Sequence, residues 1–88
     1  MRKIERTKQF KRDFEKHGVV DTALVEVLHK LLVNEQLPQR YADHALSGEW
    51  ADHRDCHLRP DLVLIYRLPD DATLQLVRLG SHSEIGIG

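Results

Sequence analysis

Residues 54–79 read RDCHLRPDLVLIYRLPDDATLQLVRL, and this stretch decides the fold. Residues 54–58 alternate between polar and apolar, whereas residues 62–68 and 73–79 are mostly apolar and include β-branched side chains, as strands do. Pro60-Asp61 separates the first two runs, and Pro69-Asp70-Asp71 separates the second from the third. Connections this short force antiparallel neighbours, because parallel pairing needs a crossover of roughly a dozen residues. The second half of the chain therefore predicts a three-stranded meander.

The first half predicts two helices and an edge strand. Thr7 is a suitable N-cap for a helix that continues to about Lys16 and stops at Gly18. A second helix is predicted from near Asp21 to around Asn34, and residues 2–6 are short and mixed, as in an edge strand. The apolar residues of the second helix follow the spacing of a core-facing helix: Leu24, Val27, Leu28, Leu31 and Leu32. The predicted class is α+β, with two N-terminal helices packed on an antiparallel sheet of three to four strands.

Length and composition predict a single domain over residues 1–88, because 88 residues support one modest core. The contents of 41% apolar and 31% charged residues are ordinary for a soluble globular protein. No run approaches the ~20 apolar residues of a membrane span, and no apolar stretch follows the charged N-terminus as in a signal peptide. The single cysteine excludes an intrachain disulfide and a CxxC motif. We expect a cytoplasmic protein with no membrane partner.

The charge is unevenly distributed. The net charge is −1, but residues 1–16 contain seven basic and three acidic residues, a net +4, so the remainder carries −5. Within the first predicted helix, Lys8, Lys11 and Arg12 point away from the apolar stripe of Phe10 and Phe14. Such a basic surface can dock on phosphates, and the alternative is an ordinary solvated helix face.

Five polar side chains lie at positions where they would not contribute to a hydrophobic core: His44, His57, Asp61, Arg78 and His82. Imidazoles exchange protons near neutral pH, and a guanidinium binds phosphate through a bidentate fork. Together they are the groups that acid–base cleavage of RNA requires. In the meander, Asp61 at the start of one strand lies near Arg78 and His82 at the end of the next. Strand alternation places His57 on one face with Asp55 and Arg59, a face that we expect to be surface or cleft lining.

Each of these residues also has a purely structural interpretation. His44 suits a loop hydrogen bond, Asp61 suits a turn after Pro60, and His57 could form a surface ion pair with Asp55. A metal site is not expected, because His53 and His57 lie ~13 Å apart along a strand and the sequence contains no HxH or HExxH motif. We therefore expect neither a metal nor another cofactor.

Three segments carry a resemblance to a known family. They are DHALSGEW at residues 43–50, RDCHLRPDLVLIYR at residues 54–67 and RLGSHSEI at residues 78–85. The chain resembles the YafQ branch of the RelE/ParE toxin superfamily over nearly its whole length. The resemblance implies a RelE-like fold and a toxin of a type II toxin–antitoxin module. Such a toxin is a ribosome-dependent endoribonuclease that cuts mRNA and is neutralised by a cognate antitoxin protein.

The resemblance also implies roles for the five polar side chains. It implies a metal-free transesterification with His82 as the general acid and Asp61 as the base, while His57 and His44 orient or share that role. Arg78 would hold the phosphate. The basic surface of Lys8, Lys11 and Arg12 would dock on ribosomal RNA.

The chain departs from the family pattern in its aromatic residues. The family often carries an aromatic residue four positions after the last histidine, where it could stack on a base, but this chain has Gly86 there. Leu62 occupies a second position that is sometimes aromatic. One alternative is therefore an attenuated relative that mainly binds an antitoxin. Another is a gyrase inhibitor of the ParE type, which would not need the histidines.

Overall fold

A computed structural model of the chain describes residues 1–87 as three α-helices and five strands. The strands are β1 (Lys3–Arg6), β2 (His44–Ala45), β3 (Arg54–Arg59), β4 (Leu62–Asp70) and β5 (Thr73–Gly80). The helices are α1 (Lys8–His17), α2 (Thr22–Leu32) and α3 (His82–Ile85), and short 3-10 turns occupy Gln39–Tyr41 and Gly48–Trp50. None of these helices is long and apolar enough to cross a membrane.

The strands form one sheet in the order β1-β5-β4-β3-β2. The predicted meander is confirmed, since β3, β4 and β5 are antiparallel neighbours. The sheet has one strand more than the predicted three to four, because the two-residue strand β2 pairs antiparallel with β3. It is also mixed, because β1 pairs parallel with β5. Almost the whole domain lies between those two strands, which supplies the long crossover that parallel pairing needs.

Both predicted N-terminal helices are present. The first begins at the predicted cap Thr7, and the second is capped by Asp21, near its predicted start. The Thr7 hydroxyl accepts the Phe10 amide at 2.9 Å, and the Asp21 carboxylate accepts the Leu24 amide at 3.0 Å. Gly18 ends α1 with an ordinary negative φ of −77°. A Cβ at Gly18 would lie 2.2 Å from the Phe14 ring, so a close approach and not a left-handed turn requires glycine here.

The two faces of the sheet bury different apolar clusters. Leu64 and Tyr66 of β4 belong to the large cluster under α1 and α2. Val63 and Ile65 alternate with them and therefore face the other way, where they pack with Ile85 of α3. Leu46 and Trp50, from the connection between β2 and β3, also pack against this second cluster. The second face, without a long helix over it, carries the histidines described next.

Candidate active site

The register of the sheet brings three of the five predicted side chains together. His44 of β2 lies directly opposite Asp55 of β3, and His57 follows two residues later on the same face. His57 pairs with Val63, which in turn pairs with Gly80, two residues before His82. The rings of His57 and His82 accordingly approach to 4.9 Å between centroids. The predicted grouping of His44, His57 and His82 thus follows from strand pairing.

Asp55 lies at the centre of this group and is only 1% exposed. Its Oδ1 is 3.0 Å from Nδ1 of His44. A carboxylate oxygen of Asp55 and one ring nitrogen each from His57 and His82 also lie within 4.8 Å of one another. The alternative interpretation of a surface ion pair between His57 and Asp55 does not hold, because Asp55 is buried. We call Asp55, His44, His57 and His82 the histidine cluster.

The surroundings of His44 determine its tautomer. Its Nδ1 lies 2.9 Å from the carbonyl oxygen of Ala42 and 3.0 Å from the Asp55 carboxylate. Both neighbours are acceptors, so Nδ1 carries a hydrogen, which it donates to Ala42. Asp55 Oδ1 therefore lies beside this N–H without a hydrogen bond of its own. Nε2 remains free to exchange a proton on a side chain that is 55% exposed.

Burial raises the pKa of Asp55, and the charges of His44, His57 and His82 act in the opposite direction. A buried carboxylate oxygen without a hydrogen bond lowers stability, and such groups concentrate at functional sites. The fold therefore keeps a negative charge next to three imidazoles at a cost in stability.

The short strand that carries His44 is anchored by the residue before it. Asp43 accepts hydrogen bonds from Arg54, at the start of β3, and from the Tyr66 hydroxyl of β4. Burial and the hydrogen bond to Asp43 raise the pKa of the Tyr66 hydroxyl, so it stays a donor. These contacts hold Asp43, and with it the neighbouring His44, beside β3 and β4.

His82 is the first residue of the four-residue helix α3. Ser81 and Glu84 form a reciprocal capping box, in which the Ser81 hydroxyl accepts the Glu84 amide and the Glu84 carboxylate accepts the Ser81 amide. The other oxygen of Glu84 pairs with Lys16 at 3.1 Å and His17 at 3.0 Å, both at the end of α1. The backbone hydrogen bond from Ser81, followed by the contact with Lys16, lowers the pKa of Glu84 to about 2.

Arg78 is held on the α1 side of the site. Its Nε donates to Asp13 at 2.8 Å, and the same carboxylate oxygen accepts the Leu79 amide at 2.9 Å. Burial alone would raise the pKa of Asp13, but the Arg78 and Leu79 hydrogen bonds outweigh it, so the pKa is lowered. Arg78 pairs with Ile65, which pairs with Asp55, so its backbone lies two strands, about 10 Å, from the histidine cluster.

Asp61 lies in the two-residue turn between β3 and β4 and is exposed. It is at the end of the sheet where His82 lies, since Val63 pairs with Gly80. Arg59 does not share the face of His57 as strand alternation predicts. The register shifts between these two residues, and Arg59 instead pairs with Asp21 at the start of α2. The structure therefore groups the histidines around Asp55 and leaves Asp61 and Arg78 at the margins.

The histidine cluster contains a set of ligands that could hold a metal. Carboxylate and imidazole groups together suit a divalent transition ion, and Asp55, His57 and His82 are close enough to share one. The expectation of no metal site rested on the separation of His53 and His57 along the chain. The Nδ1 of His53 in fact lies 3.0 Å from the Ala51 carbonyl, and its ring packs edge-on against Trp50.

Three residues that contribute to the site were missed in the sequence: Asp55, Asp13 and Glu84. Asp55 was detectable, because it alternates with His57 on the same strand face. Asp13 and Glu84 were not, since each acts through a contact between residues more than 60 positions apart. His17 also contacts this part of the site, with its Nε2 3.0 Å from the Glu84 carboxylate.

Comparison with known proteins shows similarity over nearly the whole chain. A family profile described as "Bacterial toxin of type II toxin-antitoxin system, YafQ" matches residues 2–86. The mRNA interferase toxin YafQ of Escherichia coli K12 is 37% identical over 90 residues, which cover 96% of this chain and 95% of that protein. A copper-bound mutant toxin from Helicobacter pylori is 44% identical with a TM-score of 0.89, covering 97% and 99% of the two chains. In the DinJ–YafQ complex of E. coli, the matching chain is 35% identical with a TM-score of 0.80, covering 97% and 98%.

Proposed function

The chain belongs to the YafQ family of bacterial toxins of type II toxin–antitoxin systems, and we propose that it is an endoribonuclease that cuts mRNA on the ribosome. The observation that carries the proposal is the histidine cluster, in which three imidazoles surround one buried carboxylate. Relatives named mRNA interferases support the substrate class. Inhibition of translation follows from cleavage of the message.

The proposed reaction is a transesterification within the RNA. The ribose 2′-oxygen attacks the adjacent phosphorus, and the bond from phosphorus to the 5′-oxygen breaks. A base takes the 2′-hydroxyl proton and an acid protonates the departing 5′-oxygen, leaving a 2′,3′-cyclic phosphate and a 5′-hydroxyl. We assign the acid to His82, because α3 and its capping box fix this residue beside His57.

Asp61 and His44 are the candidates for the base, with His57 orienting the attacking group. His44 is favoured by its geometry, because the hydrogen on Nδ1 leaves Nε2 free to accept a proton. Asp61 is favoured by its exposure at the end of the sheet where His82 lies. We favour His44, because an imidazole is the side chain most often used as a general base.

We assign phosphate binding to Arg78. Asp13 engages its Nε, which orients the guanidinium and leaves the two terminal nitrogens for the phosphate oxygens. One recess in the surface is lined by both Arg78 of β5 and Arg12 of α1. The basic surface of Lys8, Lys11 and Arg12 therefore continues to the proposed phosphate site, as expected if it docks on ribosomal RNA beside the message.

The decisive experiment compares His82→Gln with His29→Gln, a matched change at an exposed histidine of α2. Purified protein is incubated with translating ribosomes and a defined mRNA, and the cut sites and end groups are mapped. We expect the parent and His29→Gln to cut only translated mRNA, to leave 5′-hydroxyl ends and to remain active in EDTA. His82→Gln should be at least about 100-fold slower, the usual contribution of a general acid.

Equal rates for the two variants would refute the assignment of His82. Cleavage of free RNA at the same rate would refute the dependence on the ribosome. No cleavage by the parent, together with antitoxin binding, would favour the attenuated relative. Inhibition of DNA supercoiling that persists in His82→Gln would favour the gyrase inhibitor.

A further inference from the structure

We propose that a recess at the outer edge of β3 binds the base of the nucleotide that carries the attacking 2′-hydroxyl, and that Arg40 determines which base it prefers. This inference rests on the proposed function for its substrate. It adds where the RNA lies beside the histidine cluster and which side chain selects the sequence at the cut.

The edge recess lies between β3, the start of α2 and the 3-10 turn before β2. Its volume is about 350 Å³, near the lower end of the roughly 300–1,000 Å³ typical of ligand pockets. Ala23, Leu58 and Pro60 supply apolar surface, and Arg40 and Tyr41 line it from the 3-10 turn. A space of this size and character suits a single nucleobase.

The strand edge at this recess is open. Strand β2 pairs with β3 only at Arg54 and Asp55. Residues 57–59 therefore have no strand neighbour on that side within residues 1–87. Peptide groups at an open strand edge can donate to and accept from the polar edge of an unpaired base.

Arg40 provides a flat surface at the mouth of the recess. Its guanidinium lies over the Tyr41 ring, 4.8 Å from the ring centroid, and pairs with Glu26 of α2. The hydrogen bond from the Tyr41 hydroxyl, together with Arg40, lowers the pKa of Glu26, so this carboxylate stays charged and holds the guanidinium. The Arg40 side chain nevertheless remains 63% exposed. Guanidinium planes, like aromatic rings, stack on the unpaired bases of RNA.

The ion pairs around the recess favour a base over a phosphate as its occupant. Glu26 offsets the charge of Arg40, and Asp21 offsets the charge of Arg59, which also lines the recess. A phosphate would gain little from cations that are already paired, whereas stacking needs only an exposed plane. Such a plane would take the place of the aromatic residue that the family often carries at the position of Gly86.

The position of the recess identifies the nucleotide. His57 belongs both to the recess and to the histidine cluster. Ala42 also lines the recess, and its carbonyl oxygen lies 2.9 Å from Nδ1 of His44, the favoured base. A ribose that gives its 2′-proton to His44 therefore lies beside the recess, and its nucleobase can enter it. This nucleotide is the one immediately 5′ of the cut.

The test measures cleavage on translating ribosomes with messages that differ only in the nucleotide immediately 5′ of the cut. Arg40→Gln removes the guanidinium, and Arg40→Lys keeps the charge without the flat surface. We expect both variants to lose at least about 5-fold in kcat/KM on messages with a purine at this position, the lower end of what one stacked base contributes. The loss with a pyrimidine should be smaller, because its single ring stacks over less area.

Arg6→Gln is the matched control, at an exposed arginine of β1 on the opposite edge of the sheet. It should keep the parent's ratio of purine to pyrimidine cleavage, because weaker docking on the ribosome slows all messages equally. All three variants should keep the parent's melting temperature within a few degrees, since both arginines are exposed.

The possible outcomes separate this inference from the nuclease proposal. The inference is overturned, and the nuclease proposal stands, if the parent cuts without a preference at this position or if both Arg40 variants keep the parent's preference. A full preference in Arg40→Lys, or an equal loss of preference in Arg6→Gln, would also overturn it. No cleavage by the parent would overturn the nuclease proposal and this inference with it.

Discussion

The charge of Asp55 is best explained by function, because a neutral residue of the same shape would be less costly to bury. Burial raises the pKa of this carboxyl above its unfolded value, so folding favours its protonated form. The resulting loss of stability is fully present above the folded pKa and is relieved as the pH falls below the unfolded pKa. A buried charge that lowers stability at neutral pH suggests selection for the histidines that it holds.

The variant Asp55→Asn separates the effect of this charge on catalysis from its effect on stability. We expect kcat for mRNA cleavage to fall roughly 100-fold, because the imidazolium that forms when His44 accepts a proton loses the carboxylate beside it. KM should stay unchanged, because Asp55 is buried. The melting temperature at pH 7 should be unchanged or higher. Asp52→Asn is the matched control, at an exposed position whose φ of +69° asparagine tolerates well. A large loss of thermal stability in Asp55→Asn, with activity in proportion, would show that Asp55 is a structural residue.

Single residues were predictable from the sequence where their chemistry is visible in residue type and spacing. The three histidines stand in polar contexts, and strand pairing was enough to bring them together. The burial of Asp55 was not predictable by alternation alone. Asp55 lies opposite Ile65, a member of the second apolar cluster, and that cluster is completed by Leu46, Trp50 and Ile85 from other parts of the chain.

Among the helices and strands, α3 depends most on contacts with other residues for its stability. Four residues are too few to form a stable helix alone, so α3 is held by its capping box and by the ion pairs from Glu84 to α1. It is also the element that carries His82. Its position relative to α1 therefore determines the position of the proposed acid.

Glu84→Gln keeps an oxygen for the capping box but removes the charge that Lys16 and His17 contact. Because the folded pKa of Glu84 is lowered to about 2, its contribution to stability is present above its unfolded pKa, near 4.5, and is lost as the pH falls toward 2. We expect a melting temperature a few degrees below the parent at pH 7, a difference that disappears near pH 2, and slower cleavage.

Glu35→Gln provides the control for that experiment. It removes a surface ion pair with Lys30, in the connection after α2 and away from α3. A small stability change without a change in cleavage is expected there. If both variants cleave equally fast, Glu84 does not position His82.

The elements themselves were largely predictable. Thr7, Asp21 and the apolar periodicity of α2 marked both long helices, and proline-aspartate turns marked the meander. Strand β2 was not predictable, because two residues are too few to show a periodic pattern. Its pairing with β3 depends on the contacts of Asp43 with Arg54 and Tyr66. The parallel pairing of β1 was also unpredictable, since it joins the two ends of the chain.

For the whole molecule, the distribution of charge matters more than its sum. The chain is nearly neutral, yet Lys8, Lys11 and Arg12 are exposed and form no ion pair within residues 1–87. Basic side chains that serve structure usually pair with acidic neighbours, as Arg54 does with Asp43 and Arg59 with Asp21. The three unpaired cations of α1 are therefore available for an external polyanion.

Reversing Lys8, Lys11 and Arg12 to glutamate tests whether that polyanion is ribosomal RNA. Each phosphate contact releases counterions, so the affinity for 70S ribosomes should fall by at least 100-fold at low salt. The slope of log affinity against log salt should also become shallower, by roughly two to three. The corresponding glutamine variant should fall between the reversed protein and the parent. Since the three side chains are exposed, all variants should keep the parent's melting temperature. An affinity that neither salt nor charge reversal changes would show that this chain reaches its message without α1.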